Sequence, residues 1–271
     1  MPATTTSTLD LTVSKAELEV RREHIVAFIR EQASAAGTDR AVIGLSGGID
    51  STTTAYLAVE ALGAESVHGL IMPSTVNRES NMSDAERVAT DLGIPHDVIE
   101  IEPIAEAFYD AYPEGADDRV AAGNVRVRAR AVLNYFVANH ENGFVLGTGN
   151  HSEALVGYFT KYGDGAVDCL PIGRLYKGQV RQLARHLGVP EDLVTKTPSA
   201  GMWTGQTDEE ELGMDYDTLD AILALTVDGG VPKGRAAEIL EDVSEDEIEY
   251  VHGLYEASAH KRVFPPAPEP I

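Results

Sequence analysis

Residues 46–51 read Ser-Gly-Gly-Ile-Asp-Ser and follow a short apolar run at residues 41–45. A strand that empties into a glycine-rich loop and then a helix makes an anion cradle. The glycines let a ligand approach the backbone, and the first N–H groups of the helix have no partner of their own. The loop lacks the Lys-Ser/Thr ending of the familiar phosphate-binding loop and carries Asp50 where that lysine would stand. A carboxylate set against a polyphosphate needs a cation between them. Mg²⁺ suits this place because it prefers oxygen ligands and takes phosphates among them. For an SGG run alone, an Asp capping a tight turn is the plainer reading; the full SGGxDS string between strand and helix favours the cradle.

A second block, residues 147–177, reads GTGNHSEALVGYFTKYGDGAVDCLPIGRLYK. It begins where a predicted strand ends, the place where doubly wound sheets bind ligands. Thr148, Glu153, Lys161, Asp164, Asp168 and Lys177 cluster there between glycines, a mixture that is costly to bury without a ligand. Upstream, Arg126, Arg128 and Arg130 open a predicted helix in an otherwise acidic chain. They point to an anionic ligand, with a salt-bridge network within or between subunits as the alternative. His260-Lys261-Arg262 is the last basic cluster before a proline-rich tail and alone reads as a solubilising patch. Trp203, the only tryptophan, serves equally well as core anchor or stacking surface. The eight histidines show no His-Glu-x-x-His spacing, so zinc is not indicated.

These residues need a scaffold, and the hydrophobic pattern supplies one. A helix is predicted over residues 14–33, a strand over 41–45, a helix over 53–62, a strand over 67–72, a helix over 80–92 and a strand over 98–101. A long helix over 124–139 leads to a strand at 144–146. Alternation of this kind implies an α/β fold with a doubly wound parallel sheet and helices on both faces. Beyond residue 177 the chain reads as helical, over 179–187, 216–225, 236–240 and 245–258. No linker or repeat divides the chain, so residues 1–271 are expected to form one domain, with 1–13 and 265–271 as loose ends.

At 271 residues and 43% hydrophobic content, the chain can bury a sizeable core. It carries 44 acidic residues against 21 basic ones, a formal net charge of −23, which makes nucleic acid an unlikely general partner. The acidic excess is spread along the chain and reads as a solvated surface. It suits a high-salt cytoplasm, where screening removes self-repulsion, and a halophilic source is expected. Cys169 is the only cysteine, so neither an intrachain disulfide nor an all-cysteine metal site is available and a reducing cytoplasm is expected. Beside Leu170 and Pro171 it reads as a small buried hydrophobe rather than a nucleophile. The N-terminus has no signal-peptide pattern, and no apolar run is long enough to span a membrane.

The SGGIDS loop resembles that of the N-type ATP pyrophosphatases, which cleave ATP between the α and β phosphates to make an acyl-adenylate or a similar intermediate. Within that superfamily, the 147–177 block is similar to the signature of the NAD synthetase family. Asn124, Arg128 and Arg130 fit the family's N-x-x-x-R-x-R pattern, HKR at 260–262 matches its closing element, and PSAGMWTGQTDEEELG at 198–213 is family-like and implies a loop closing over nucleotides. The resemblance covers residues 42–266. The departures are an unusually acidic surface and Arg126, which stands where a less charged residue is expected.

The resemblance implies a five-stranded parallel sheet of the adenine nucleotide alpha hydrolase type and a helical C-terminal part. It implies ATP bound by Gly44, Leu45, Ser46, Gly47, Gly48, Ile49, Asp50 and Ser51 with Thr148, Lys177 and Ser199. Mg²⁺ would lie on Asp50 and Glu153. Deamido-NAD would be held by Arg128, Lys161, Asp168, His260 and Lys261, and Asp164 would orient ammonia. The implied reaction is the ammonia-dependent amidation of deamido-NAD through an adenylated intermediate, giving NAD, AMP and pyrophosphate. A homodimer with the dinucleotide at the subunit interface is implied as well. The chain is too short to add a glutamine-hydrolysing domain, which leaves free ammonia as the nitrogen donor. A GMP synthetase subunit would keep SGGIDS without the GYFTKYGDG and HKR blocks, and a non-catalytic nucleotide sensor should have lost Asp50, Glu153 or Lys177.

Overall fold

The computed structural model describes residues 9–74, 80–203 and 205–268. Among them, four strands form one parallel sheet in the order β3-β2-β1-β4: β1 (Ala41–Gly44), β2 (Val67–Ile71), β3 (His96–Val98) and β4 (Phe144–Leu146). Side chains alternate across it. Ala41 and Ile43 of β1 face a core with Leu18, Ile25 and Ile29 of α1 (Lys15–Ala36), Leu57 of α2 (Ile49–Leu62), and Val180 and Leu183. Val42, Leu70 and Val145 face a second core with Ala138 and Ile101. Helices therefore cover both faces, as a buried parallel sheet requires.

The crossovers between strands are α2, α3 (Ser80–Leu92), and the pair α4 (Glu102–Ala111) and α5 (Arg119–Glu141). Helix α2 is threonine-rich yet buried, because the hydroxyls of Thr52, Thr53 and Thr54 donate to the carbonyls of Gly48, Ile49 and Asp50 at 2.7–2.9 Å. After β4 come α6 (His151–Val156), α7 (Lys177–His186), α8 (Glu191–Val194) and α9 (Asp208–Leu212). Helix α10 (Tyr216–Ile222) continues as a π-helical stretch, Leu223–Asp228, and is followed by α11 (Lys233–Ile239) and α12 (Glu245–Ala257). Leu212, Leu219, Ile222, Ile248 and Val251 of this region close a third core onto Leu155 and Val156 of α6.

The expected fifth strand is reduced to a single parallel bridge, Leu146 to Cys169. Two local features stop it. The Asp168 carboxylate takes the Val145 N–H at 2.7 Å, while the Asp168 N–H reaches the Val145 carbonyl at 3.0 Å. Pro171 then offers no N–H to continue a ladder. The third strand lies at His96–Val98 rather than 98–101, although Ile99 and Ile101 still donate to Ile71 and Pro73. The described part of the expected loose end, residues 9–13, is packed against the body. Val13 is buried, its N–H donates to Gln182 Oε1 at 2.7 Å, and Leu9 and Leu11 pack on the third core. Residues 1–8 and 269–271 lie outside the described residues.

Asp168 therefore holds the sheet edge. D168A should lower the stability of the substrate-free protein by about 1–3 kcal/mol, because it strands the buried Val145 N–H. Equilibrium denaturation checks this; an unchanged midpoint would remove Asp168 from the sheet's framework.

Candidate active site

In the order β3-β2-β1-β4, strands β2 and β4 lie on opposite sides of β1, so the chain reverses its winding at the β1/β4 boundary. The loops leaving the carboxyl ends of β1 and β4 diverge there and open a crevice. From β1 comes residues 45–48, in which Gly47 adopts φ 72°, a left-handed conformation that favours glycine. Gly48 caps α2 with no side chain, so the first N–H groups of α2 face the loop. Ser46 and Ser51 tie the loop's ends, with their hydroxyls 3.1 Å apart and the Ser46 N–H donating to Ser51 Oγ. The nest that results is shaped for an anion.

From β4 the chain enters α6, capped reciprocally by Asn150 and Glu153. Asn150 Oδ1 accepts the Glu153 N–H at 3.0 Å and Glu153 Oε2 accepts the Asn150 N–H at 3.2 Å. The Asn150 amide also donates to Asp50 Oδ1 at 3.0 Å. One asparagine thus joins the carboxylates of α2 and α6. Between those carboxylates lies the Lys177 ammonium, 2.5 Å from Asp50 Oδ2 and 3.3 Å from Glu153 Oε1, with its side chain only 2% exposed.

Burial works against the Lys177 ammonium, but Asp50 and Glu153 outweigh it and raise the group above its ordinary value. Burial pushes the Glu153 carboxyl up to about 7, with Lys177 opposing and Asp50 adding to the rise. Asp208 lies behind them. It is 3% exposed, its Oδ2 accepts the Tyr216 hydroxyl at 2.9 Å, and its Oδ1 has no partner.

The cavity around this group has a volume of about 520 Å³, and residues 44–46, 48–51, Thr148, Glu153, Asp164, Lys177, Ser199 and Lys261 line it. The Ser199 hydroxyl donates to the Gln206 carbonyl at 2.7 Å, which ties two lining residues together. Asp164 is exposed to the cavity, with protein atoms crowded around its carboxyl. That desolvation raises its carboxyl, and its Oδ1 accepts the Thr160 N–H at 2.7 Å. Lys261 Nζ donates to the carbonyls of Gly157 and Phe159.

Of the residues expected to hold a dinucleotide, Lys261 lines the cavity, Arg128, Lys161 and His260 form a linked group apart from it, and Asp168 lies at the sheet edge. Arg128 donates to the Lys161 carbonyl at 3.2 Å and Lys161 Nζ to the His260 carbonyl at 2.6 Å. Neither these three residues nor Asp168 lines the central cavity. Of the other arginines, Arg126 pairs with Glu102 at 2.6 Å, whereas Arg130 lines the cavity and donates to the Met72 carbonyl at 3.0 Å.

The NAD synthase family model matches residues 21–265. The chain is 61% identical to an NH(3)-dependent NAD(+) synthetase of Halobacterium salinarum, over 97% of this chain and 98% of that one. The chain belongs to the NAD synthase family. Among solved structures, an NH3-dependent NAD synthetase from Campylobacter jejuni, in complex with the nitrate ion, superposes with a TM-score of 0.78 at 30% identity, covering 93% and 99% of the two chains. An NMN synthetase from Francisella tularensis gives 0.82 at 35% identity, covering 95% and 99%.

Membership of the NAD synthase family sharpens which parts of the site the sequence motifs left out. Asn150 was legible, since N-x-x-E before an apolar run is a helix-start signal. Tyr216 and Asp208 were not, because no local spacing ties them to Lys177, and only the fold brings the Tyr216 ring to 5.0 Å from its ammonium.

In the metal-free protein burial raises the Glu153 carboxyl from the ordinary value of 4.5, which it has in the unfolded chain, to about 7. Across that window the folded state binds more protons, so stability falls as pH rises through it. E153Q should therefore show a shallower loss of thermal stability than the parent between about pH 5 and about pH 7.5. Melting curves in the presence of a chelator decide it, and identical pH slopes would rule out the buried carboxyl as the cause.

Proposed function

We propose that this protein is an ammonia-dependent NAD synthetase, which adenylates the nicotinate carboxylate of deamido-NAD with ATP and passes the acyl group to ammonia. The observation that carries this reading is the placement of one buried ammonium and two carboxylates against a helix-capping glycine loop. In the reaction a carboxylate oxygen attacks the α-phosphorus of ATP, the bond to the bridging β-oxygen breaks, and pyrophosphate leaves. Ammonia then attacks the acyl carbon, the amide forms, and AMP departs.

Each residue has a part that its geometry supports. The N–H groups at the start of α2 receive phosphate oxygens, and Lys177 offsets the charge that grows on the leaving pyrophosphate. Thr148 and Ser199 line the same cavity and contact ATP. Asp164 takes a proton from ammonium or orients ammonia. Arg128, Lys161, Asp168 and His260 hold the dinucleotide outside the chamber, and Lys261 holds it at the cavity wall.

Asp50 and Glu153 fit a divalent cation, because both are oxygen donors and converge from different elements on one point. Among the described residues no group of three or more His, Cys, Asp or Glu is placed to hold a metal alone, so an ion here would depend on phosphate and water for its remaining oxygens. When bound, Mg²⁺ would neutralise phosphate charge.

The homodimer is supported by a stripe on α5. Arg128, Val132 and Phe136 follow one another at four-residue spacing, with Val132 67% and Phe136 70% exposed. Exposed Phe108 of α4 and Tyr112 just beyond its end add apolar surface, which a second copy would cover. No helix among the described residues is long and apolar enough to cross a membrane. The net charge of −23 supports operation in a high-salt cytoplasm.

The test is a product assay with deamido-NAD, ATP, Mg²⁺ and ammonium, in molar potassium chloride and in dilute buffer, with nicotinic acid mononucleotide run alongside. NAD, AMP and pyrophosphate should form together, faster in high salt. Turnover of the mononucleotide alone would reassign the substrate. D50N and E153Q should each lower kcat by at least about a hundredfold while remaining folded, and full activity in both would remove the two carboxylates from the chemistry. F136E should shift the sedimenting species from dimer to monomer.

A further inference from the structure

Glu153 and Lys177 lie on different helices, and the cavity does not explain what holds those helices in register. The answer lies behind the site. Asp220 of α10 is 1% exposed and lines no part of the cavity. Its Oδ1 accepts the Ser152 hydroxyl at 2.5 Å, and its Oδ2 accepts the Gly178 N–H at 2.8 Å. Ser152 Oγ in turn accepts the Lys177 N–H at 2.9 Å. One carboxylate thereby fixes the backbone beside Glu153 and the backbone of Lys177.

The same element makes two further contacts with these helices. The Tyr216 ring lies 5.0 Å from the Lys177 ammonium. At the far end of the π-helical stretch, Asp228 Oδ2 accepts the Tyr176 hydroxyl at 2.5 Å and lies 2.8 Å from His151 Nε2. Asp220 and Asp228 thus grip the residues that flank the two functional side chains, 151 and 152 on α6 and 176 to 178 at the start of α7. π-helical turns inside helices recur at functional sites, where they re-aim side chains.

We propose that Asp220 is a positioning residue of the adenylation step, acting through Ser152 and the α7 N-terminus to hold Lys177 against Asp50 and Glu153. It rests on the role given to Lys177 above. Burial raises the Asp220 carboxyl to about 6, against the two hydrogen bonds it accepts. A group that served only to cap a helix would gain nothing from such depth, since an exposed side chain caps equally well.

The inference is tested by steady-state kinetics of D220N, S152A, K177A and the double variant D220N/K177A, each checked for folding by near-ultraviolet circular dichroism. D220N keeps the shape but cannot accept both hydrogen bonds. It should lower kcat by about 10- to 100-fold with the KM for ATP nearly unchanged. S152A leaves Asp220 bonded to Gly178, and should show the same kcat-specific loss in smaller measure. In the double variant the D220N loss should disappear, because Lys177 is no longer there to be positioned. Wild-type kcat in folded D220N would overturn the proposal, as would losses that multiply in the double variant. If D220N does not fold, a wild-type kcat in S152A would overturn it. A fully active K177A would instead remove the role of Lys177, a separate failure.

Discussion

A lysine ammonium buried to 2% exposure determines much of this molecule's design. Taking such a charge out of water costs several kcal/mol, and only close, well-directed partners offset that. Lys177 also opens α7, where the helix dipole disfavours positive charge. Both terms oppose the position, so Asp50 and Glu153 must be held within reach without depending on the lysine to bring them there. The β1 loop does this for Asp50 through the start of α2, and the Asn150 cap does it for Glu153 while binding Asp50 as well. The arrangement gathers two carboxyl groups around one ammonium, a donor set whose ionised form a cation and a polyphosphate together would favour.

The chain's overall charge makes the interior of the cavity all the more distinctive. With a net charge of −23, most of the surface repels an anionic nucleotide. Arg130, Lys177, Lys196 and Lys261 nevertheless line one cavity, with the amides at the start of α2 beside them. In a low-dielectric cleft such charges act more strongly than the same number spread over a wet surface. Lys196 also braces the 45–48 loop, since its ammonium lies 2.7 Å from Asp84 and 3.4 Å from the Gly47 carbonyl.

Much of this was visible in the sequence where the signal was local. The 46–51 loop, the strand before it and the helix after it are a contiguous pattern, and the β1 and β4 positions follow from short apolar runs bounded by glycine. The third strand shifted because the run 98–101 is apolar for another reason: Ile101 fills the core beside Val42 and Val145. Helix α6 is six residues long, too short for a 3.6-residue period to show, and only its Asn150/Glu153 cap could reveal it. The π-helical stretch at Leu223–Asp228 lies beyond any α-helical template, so the contacts of Asp228 were not legible. Arg126 illustrates the converse. In sequence it belongs with Arg128 and Arg130, but its partner Glu102 comes from α4, a helix the hydrophobic pattern did not indicate.

The functional group spans two cores. Ile49, beside Asp50, packs with Val180 and Leu183 of α7 in the sheet core, whereas Leu155 and Val156 of α6 pack with Tyr216, Leu219 and Ile222 in the C-terminal core. A slip between those cores would move Glu153 relative to Asp50 while leaving each core well packed, so hydrophobic burial alone does not fix the site's geometry. Directional bonds across the boundary must do so: Asn150 to Asp50, Lys177 to Ser152, and Gly178 to Asp220. Polar groups buried at such a boundary stabilise little by themselves once desolvation is counted, but only one arrangement of the two cores satisfies them all. The chain therefore uses apolar packing to bring its two halves together and a few buried hydrogen bonds to set their register at the site.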